Sequence, residues 1–270
     1  MRSNILETGV EGLLESVLGD ASGELYLINP SREILEAGIP AIEAASDVSV
    51  RLLAGERVLK DVLDDFIVAS TAADLIDEDR LALRTFSGPT NTLLVSDESV
   101  TAVVSAGGKV AGLVTDDDEF VAATRGQYET EWEDSEPFKL RTPPISRVRA
   151  SLEEEIGEEV AADFDGVLTS LETARGNGDG LDEVTISLLV AAKNEELLYD
   201  ISKWGEDVGI ASKATFSRTK TQLEEMGLVD TEKVPIDVGR PRLRLILGDD
   251  RLRETSPDEL ANVTQSVLAS

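Results

Sequence analysis

The sequence predicts an α/β N-terminal domain with a mixed sheet, joined by a helical segment to a C-terminal winged helix-turn-helix. Three observations carry that prediction. Over the first half, short apolar strand-like runs alternate with stretches of helical period. Pro137, Pro143 and Pro144 mark a joint. Residues 180–248 then run helix, helix, helix, strand, turn, strand, which is the order of a winged helix.

The elements follow in order. Leu25-Tyr26-Leu27-Ile28 is a short buried strand that stops at Asn29-Pro30. Ser31 is placed to cap a helix holding Ile34, Leu35, Ile39 and Ile42. A second strand spans 48–53, and Val58, Leu59, Val62, Leu63, Phe66 and Ile67 predict one longer helix. Strands are expected at 81–86, 92–95, 100–104 and 110–114, the last two joined by the hairpin turn Ala106-Gly107-Gly108-Lys109. A helix opening at 116–119 carries Phe120, Tyr128 and Trp132. Beyond the prolines, the spacing of Val148, Leu152, Ile156, Val160, Phe164 and Leu168 predicts helix over 145–174, broken at Gly157. The run 175–180, rich in glycine, reads as a linker. These signals divide the chain into an α/β domain for sensing or dimerisation (1–140), a helical connector and linker (141–179), the winged helix-turn-helix (180–248) and a C-terminal helix (249–270).

In the C-terminal module, the first helix covers 183–194, with Ile186, Leu189 and Val190 inward. The second starts near Leu197, carries Leu198, Ile201, Trp204 and Val208, and ends at Gly209, where positive φ suits a sharp corner. Ser212 caps the third helix, whose expected buried stripe is Phe216, Leu223 and Met226. Its opposite face is expected to expose Lys213, Thr215, Ser217, Arg218, Lys220 and Thr221. Strands at 228–236 and 242–247 flank a tight turn, the wing, with Arg240, Arg242 and Arg244 on one strand face. Hydroxyls and cations at the start of the second helix of the pair are the groups that phosphates and major-groove base edges accept. The expected partner is double-stranded DNA, with recognition helix 212–226 in the major groove and wing 237–242 on the backbone or minor groove.

Charge sharpens the assignment. Fifty-four acids against twenty-five bases give a formal charge of −29, and the acids are interleaved with apolar residues rather than massed in a tail. That pattern is the acidic surface of adaptation to high salt. Yet 210–222 and 238–248 each hold three bases and no acid, and both fall on the expected recognition helix and wing.

Several chemistries are excluded or disfavoured. There is no cysteine and no histidine, so neither thiolate nor imidazole chemistry is available. The acids 116–119 read as a helix start rather than a metal cluster, and Gly107-Gly108 as a turn rather than a phosphate loop. No metal and no cofactor are expected. The N-terminus lacks a signal-peptide core and no apolar run reaches membrane-spanning length, so a cytoplasmic protein is expected. A regulator is favoured over an enzyme. The alternatives are an enzyme seated in the α/β domain and a winged-helix scaffold that binds protein. A small-metabolite effector at the N-terminal domain and a homodimer, through 145–174 or 256–268, complete the expected partners.

The run 209–218, with 223–229 (Leu-Glu-Glu-Met-Gly-Leu-Val), is similar to the general winged-helix regulator pattern. Together with 183–245, 20–30 and Arg141-Thr142-Pro143-Pro144-Ile145-Ser146-Arg147, it closely resembles the haloarchaeal TbsP-type transcriptional regulators. The resemblance implies a sequence-specific haloarchaeal regulator linked to genes of central carbon metabolism.

The charge pattern makes a direct prediction. In dilute buffer the acidic surface repels itself, whereas in 1 M salt the screening length falls to about 3 Å. Thermal melts across KCl concentrations are expected to show Tm climbing from dilute buffer to molar KCl. A flat or falling Tm counts against salt adaptation.

Overall fold

The computed structural model describes residues 4–171, 174–175, 181–235 and 241–268. The chain divides into two units: one holds the chain up to Asp64 with Thr71–Leu140, the other Asp65–Ser70 with everything from Arg141.

The first unit runs β1 (Ile5–Glu7), α1 (Val10–Gly19), β2 (Gly23–Ile28), α2 (Arg32–Ala44), β3 (Val48–Ala54), α3 (Glu56–Val62), α4 (Phe66–Asp77, begun in the second unit), β4 (Leu81–Thr85), β5 (Leu93–Val95), β6 (Val100–Ala106), β7 (Lys109–Thr115) and α5 (Asp118–Asp134). Among the described residues its strands form one mixed sheet in the order β1-β7-β6-β5-β2-β3-β4. Pairs β2–β3 and β3–β4 are parallel, and the rest are antiparallel. The α/β fold with a mixed sheet is thus present as expected. Strand pleat sends Leu25 and Leu27 to one face and Tyr26 and Ile28 to the other. Tyr26 and Ile28 are fully buried with Val121, Tyr128 and Trp132 of α5. There Tyr26 meets Trp132 edge to face at 6.3 Å, and the Arg51 guanidinium stacks 5.6 Å from both rings while donating to Tyr26 Oη at 2.8 Å. Burial raises the Tyr26 pKa above the ordinary phenol value, although Arg51 pulls it the other way.

Local signals explain most boundaries. Ser31 accepts from Ile34 N–H at the start of α2, and Asp117 accepts from Phe120 N–H at the start of α5. Gly107 and Gly108, at φ 59° and 72°, make the two-residue turn between β6 and β7. Two features differ from the sequence reading. β1 and α1 precede the first strand that reading found. The single helix expected from Val58 to Ile67 is two, because Asp65 starts a new one. Its Oδ1 accepts from Ile67 and Val68 N–H at 3.0 and 3.4 Å. Its Oδ2 meets Arg175 Nε at 3.1 Å, and the Asp65 side chain is 1% exposed.

The second unit continues with α6 (Ile145–Glu155), α7 (Glu158–Ser170), α8 (Glu183–Lys193), α9 (Leu198–Val208), α10 (Lys213–Glu225), β8 (Val229–Val234), β9 (Arg242–Leu247), α11 (Asp250–Arg253) and α12 (Pro257–Leu268). One apolar core joins these elements: Val148 and Leu152 of α6, Phe164 of α7, Leu188 of α8, Trp204 of α9, Phe216 of α10 and Leu260 of α12 are each at most 1% exposed. Trp204 Nε1 donates to Ser151 Oγ at 2.9 Å, and its ring meets Phe164 edge to face at 6.5 Å. The face of α12 bearing Leu260 and Ala261 is therefore used inside this unit, where α12 packs on α7. β8 and β9 pair antiparallel, and on its other side β9 gains a single-residue bridge from Arg244 to Leu197.

Asp65 gives the test of this arrangement. Asp65→Ala removes a helix cap and one half of a buried ion pair at once, and is expected to lower the unfolding free energy by about 3 kcal/mol. Chemical denaturation in molar KCl measures it. Asp65→Asn, which retains an accepting oxygen for the cap but loses the charge, is expected to cost less; equal costs for the two would deny the cap any role, and a cost-free Asp65→Asn would deny the ion pair one.

Candidate nucleic-acid interface

The helix-turn-helix is built by three local devices and one close contact. Asp182 caps α8 by accepting from Thr185 N–H at 2.7 Å. Gly209 ends α9 at φ 98°, and Gly205 O accepts from Ile210 N–H at 2.8 Å to tighten the corner. Ser212 Oγ accepts from Thr215 N–H at 3.2 Å and starts α10. The contact is Phe216, fully buried, with its ring edge against Gly205; a Cβ at that position would overlap Phe216 Cζ and Cε2. A bare Cα on α9 is what lets α10 lie this close.

Phe216 and Leu223 point inward, and Ala214, Ser217, Arg218, Thr221 and Gln222 form the exposed face of α10. The outward face carries no acid before Glu225. Ser217 and Arg218 sit where expected, and Arg218 has no ion pair among the described residues. Thr221 is exposed, with its Oγ1 donating back to Ser217 O at 3.0 Å. Ser212 is exposed at the cap, and half-buried Thr215 has its Oγ1 3.1 Å from Ser212 Oγ.

The remaining cations are engaged by acids. Lys213 Nζ lies 3.0 Å from Glu206 Oε2, and Lys213 N–H donates to Glu206 Oε1 at 3.2 Å. Those hydrogen bonds hold the Glu206 carboxyl below its ordinary pKa and raise that of Lys213. Lys220 is not on the exposed face: its side chain is 11% exposed and pairs with Glu224 at 2.8 Å. It lies only about 40° around the helix from Phe216 and about 60° from Leu223, so its stem packs along the module and its ammonium finds the acid one turn on. Met226 is likewise not buried. It is 55% exposed at the C-cap, past the last turn that faces the core. On β9, Arg242 meets Asp200 at 3.2 Å and stacks 4.5 Å over the Tyr199 ring. Arg244 is half-buried, and its Nε is enclosed without a hydrogen-bond partner among the described residues. Burial, then the neighbouring Asp200, raise the pKa of Glu196, against the pull of Arg244. Arg240 and the wing tip, residues 236–240, lie outside the described residues.

Sequence reasoning missed Ala214 and Gln222, which share the outward face, and the acids that mask the cations. Lys220–Glu224 was legible as an i,i+4 pair. Glu206 and Asp200 come from α9, so only the helix crossing reveals them. Among the described residues no cluster of acids is arranged to hold a metal, and no helix is long and apolar enough to cross a membrane.

A capped helix pair with a polar outward face on its second helix, followed by a two-stranded wing and preceded by an α/β domain, defines a two-part helix-turn-helix regulator. Family models agree over the whole length. One, described as transcriptional regulator TbsP-like, N-terminal, matches residues 2–143. The other, transcriptional regulator TbsP-like, C-terminal HTH domain, matches residues 144–265. The chain belongs to the TbsP-like transcriptional regulator family. Comparison with curated proteins finds no match. Among solved structures, one described as "Structure of TrmBL2, an archaeal chromatin protein, shows a novel mode of DNA binding" is similar at 20% identity and a TM-score of 0.38. The match covers 50% of this chain and 54% of that one, so it spans about half of that structure, and a likeness this loose carries no argument.

The Gly205 contact is directly testable. Gly205→Ala is expected to cost about 1–3 kcal/mol through overpacking. Gly126→Ala, in a helix with open space around the new Cβ, is expected to be neutral or mildly stabilising. Paired denaturation curves make the comparison, and a neutral Gly205→Ala would mean that Phe216 does not set the crossing.

Proposed function

We propose that this chain is a sequence-specific DNA-binding transcription regulator of a haloarchaeon, acting on genes of central carbon metabolism from the cytoplasm. In this reading 212–226 is the recognition helix in the major groove, and the wing, with Arg240, lies on the backbone or minor groove. The observation that carries it is the outward face of α10. Ser217, Arg218, Thr221 and Gln222 are exposed together there, and Arg218 is uncommitted in a chain where acids outnumber bases two to one. Arg218 is the group for a base edge or phosphate, and the two hydroxyls and the amide add short-range hydrogen bonds.

Short-range chemistry matters because salt removes long-range attraction. Counterion release lowers affinity steeply as salt rises, so a high-salt regulator depends on contact quality more than on bulk charge. The paired cations fit the same logic. Glu206 occupies the N-terminal end of α10, where a DNA phosphate would otherwise sit, and it must be displaced before Lys213 is free to bind. Arg242 and Arg244 act as supports of the wing strand in this reading, with Arg240 reaching DNA. The regulator works as a homodimer on paired half-sites, and its N-terminal domain receives a small-metabolite effector.

Chromatin immunoprecipitation at native salt tests the function: discrete promoter peaks are expected, and uniform background would sink it. On a promoter fragment so identified, fluorescence anisotropy in molar KCl tests the residues. Arg218→Ala is expected to weaken binding by at least about tenfold. Glu206→Gln, which releases Lys213 and removes a negative charge, is expected to tighten it. Unchanged affinity in both variants would show that α10 does not face the DNA.

A further inference from the structure

The first unit contains a cavity of about 540 Å³ between the end of α1 and the sheet at β5, β6 and β7, within the size range of small-molecule sites. Its lining is two-sided. Leu25, Leu94 and Val114 supply apolar surface, while Ser16, Asp20 and Thr101 supply polar groups. Ser96 and Ser99 also border it but are already engaged with each other: their Oγ atoms are 3.2 Å apart, and Ser96 Oγ accepts from Ser99 N–H at 3.0 Å.

Thr101 is different. It is 3% exposed, it lines the cavity, and its hydroxyl has no hydrogen-bond partner among the described residues. That hydroxyl is not one of the enclosed polar atoms left without a partner, so it opens onto the cavity, where solvent or a ligand hydroxyl completes it.

Charge defines what such a ligand is. Among the described residues no lysine or arginine lines the cavity, and the charged group there is the Asp20 carboxylate at the C-terminal end of α1. The helix dipole is negative at that end. A phosphorylated or carboxylated ligand would meet repulsion from both. Hydroxyl groups instead find an accepting carboxylate and a threonine that both donates and accepts, and the C–H face of the same molecule finds the apolar wall. Recognition by hydrogen bonds and apolar contact also survives molar salt, where ionic recognition is screened.

We propose that this cavity binds an uncharged polyol, with Thr101 and Asp20 receiving its hydroxyls. The proposal names the site and ligand class of the effector-responsive regulator described above and rests on that reading only for its consequence. Binding itself is measured without DNA. Isothermal titration of the full chain in molar KCl uses glycerol, D-glucose and myo-inositol, with glucose 6-phosphate as the charged counterpart. At least one neutral polyol is expected to bind saturably, with glucose 6-phosphate at least about tenfold weaker. Thr101→Val, which keeps the side-chain shape, and Asp20→Ala, at an exposed helix cap, are each expected to weaken the polyol about tenfold with Tm unchanged. Absence of saturable binding by all three polyols, equal binding of the phosphate ester, or indifference to both substitutions would overturn the proposal. Loss of promoter occupancy with polyol binding intact would instead count against the regulator reading alone.

Discussion

The bare Cα of Gly205 beneath the ring of Phe216 is the contact on which the C-terminal unit turns. It lets α10 cross α9 at close range, and that crossing decides which residues of α10 face inward. Phe216 and Leu223 are buried by it, and Ser217, Arg218 and Thr221 are turned out as a consequence. Around the contact, Trp204 is held by Ser151 and Phe164, so the crossing is backed by α6 and α7 rather than by the helix pair alone. A surface built this way is pre-ordered by the packing beneath it.

The second organising constraint is the acid surplus. A net charge of −29 means that any cation folds among acids, and most do. Lys213, Lys220 and Arg242 each find a carboxylate within 3.2 Å. The more exposed of these, Lys213–Glu206 and Arg242–Asp200, contribute little to stability, so their importance is in what they hide. They lower the positive charge available on the module and leave Arg218 as the cation of α10 without an ion pair among the described residues. The same surplus shapes the N-terminal unit, whose cavity is bordered by a carboxylate and hydroxyls and, among the described residues, by no base.

Much of this was legible in sequence. The strands read at 25–28 and 48–53, the Gly107-Gly108 hairpin, the break at Gly157, the corner at Gly209 and the caps at Ser31 and Ser212 each follow from a local rule, and each is present. The misreadings share a cause. The helix from Val58 to Ile67 has unbroken apolar spacing, and it is interrupted at Asp65, which caps α4 and also pairs with Arg175, far away in sequence. Lys220 and Met226 were placed by helical periodicity, which gives an angle around the axis but not how far the neighbouring elements extend. β1 is three residues long and gains its identity only by pairing with β7.

By itself, then, the sequence determined the fold class, the order of the winged helix, the family resemblance and the location of the acid-poor segments. Each is encoded in residues near one another in the chain, where periodicity, caps and composition act. The tertiary structure alone decided which cations are free, which side chain of the α9–α10 pair needs a glycine opposite it, and that a buried threonine borders an open cavity. Those properties belong to pairs of residues brought together from distant positions, and a local pattern holds no record of such pairs.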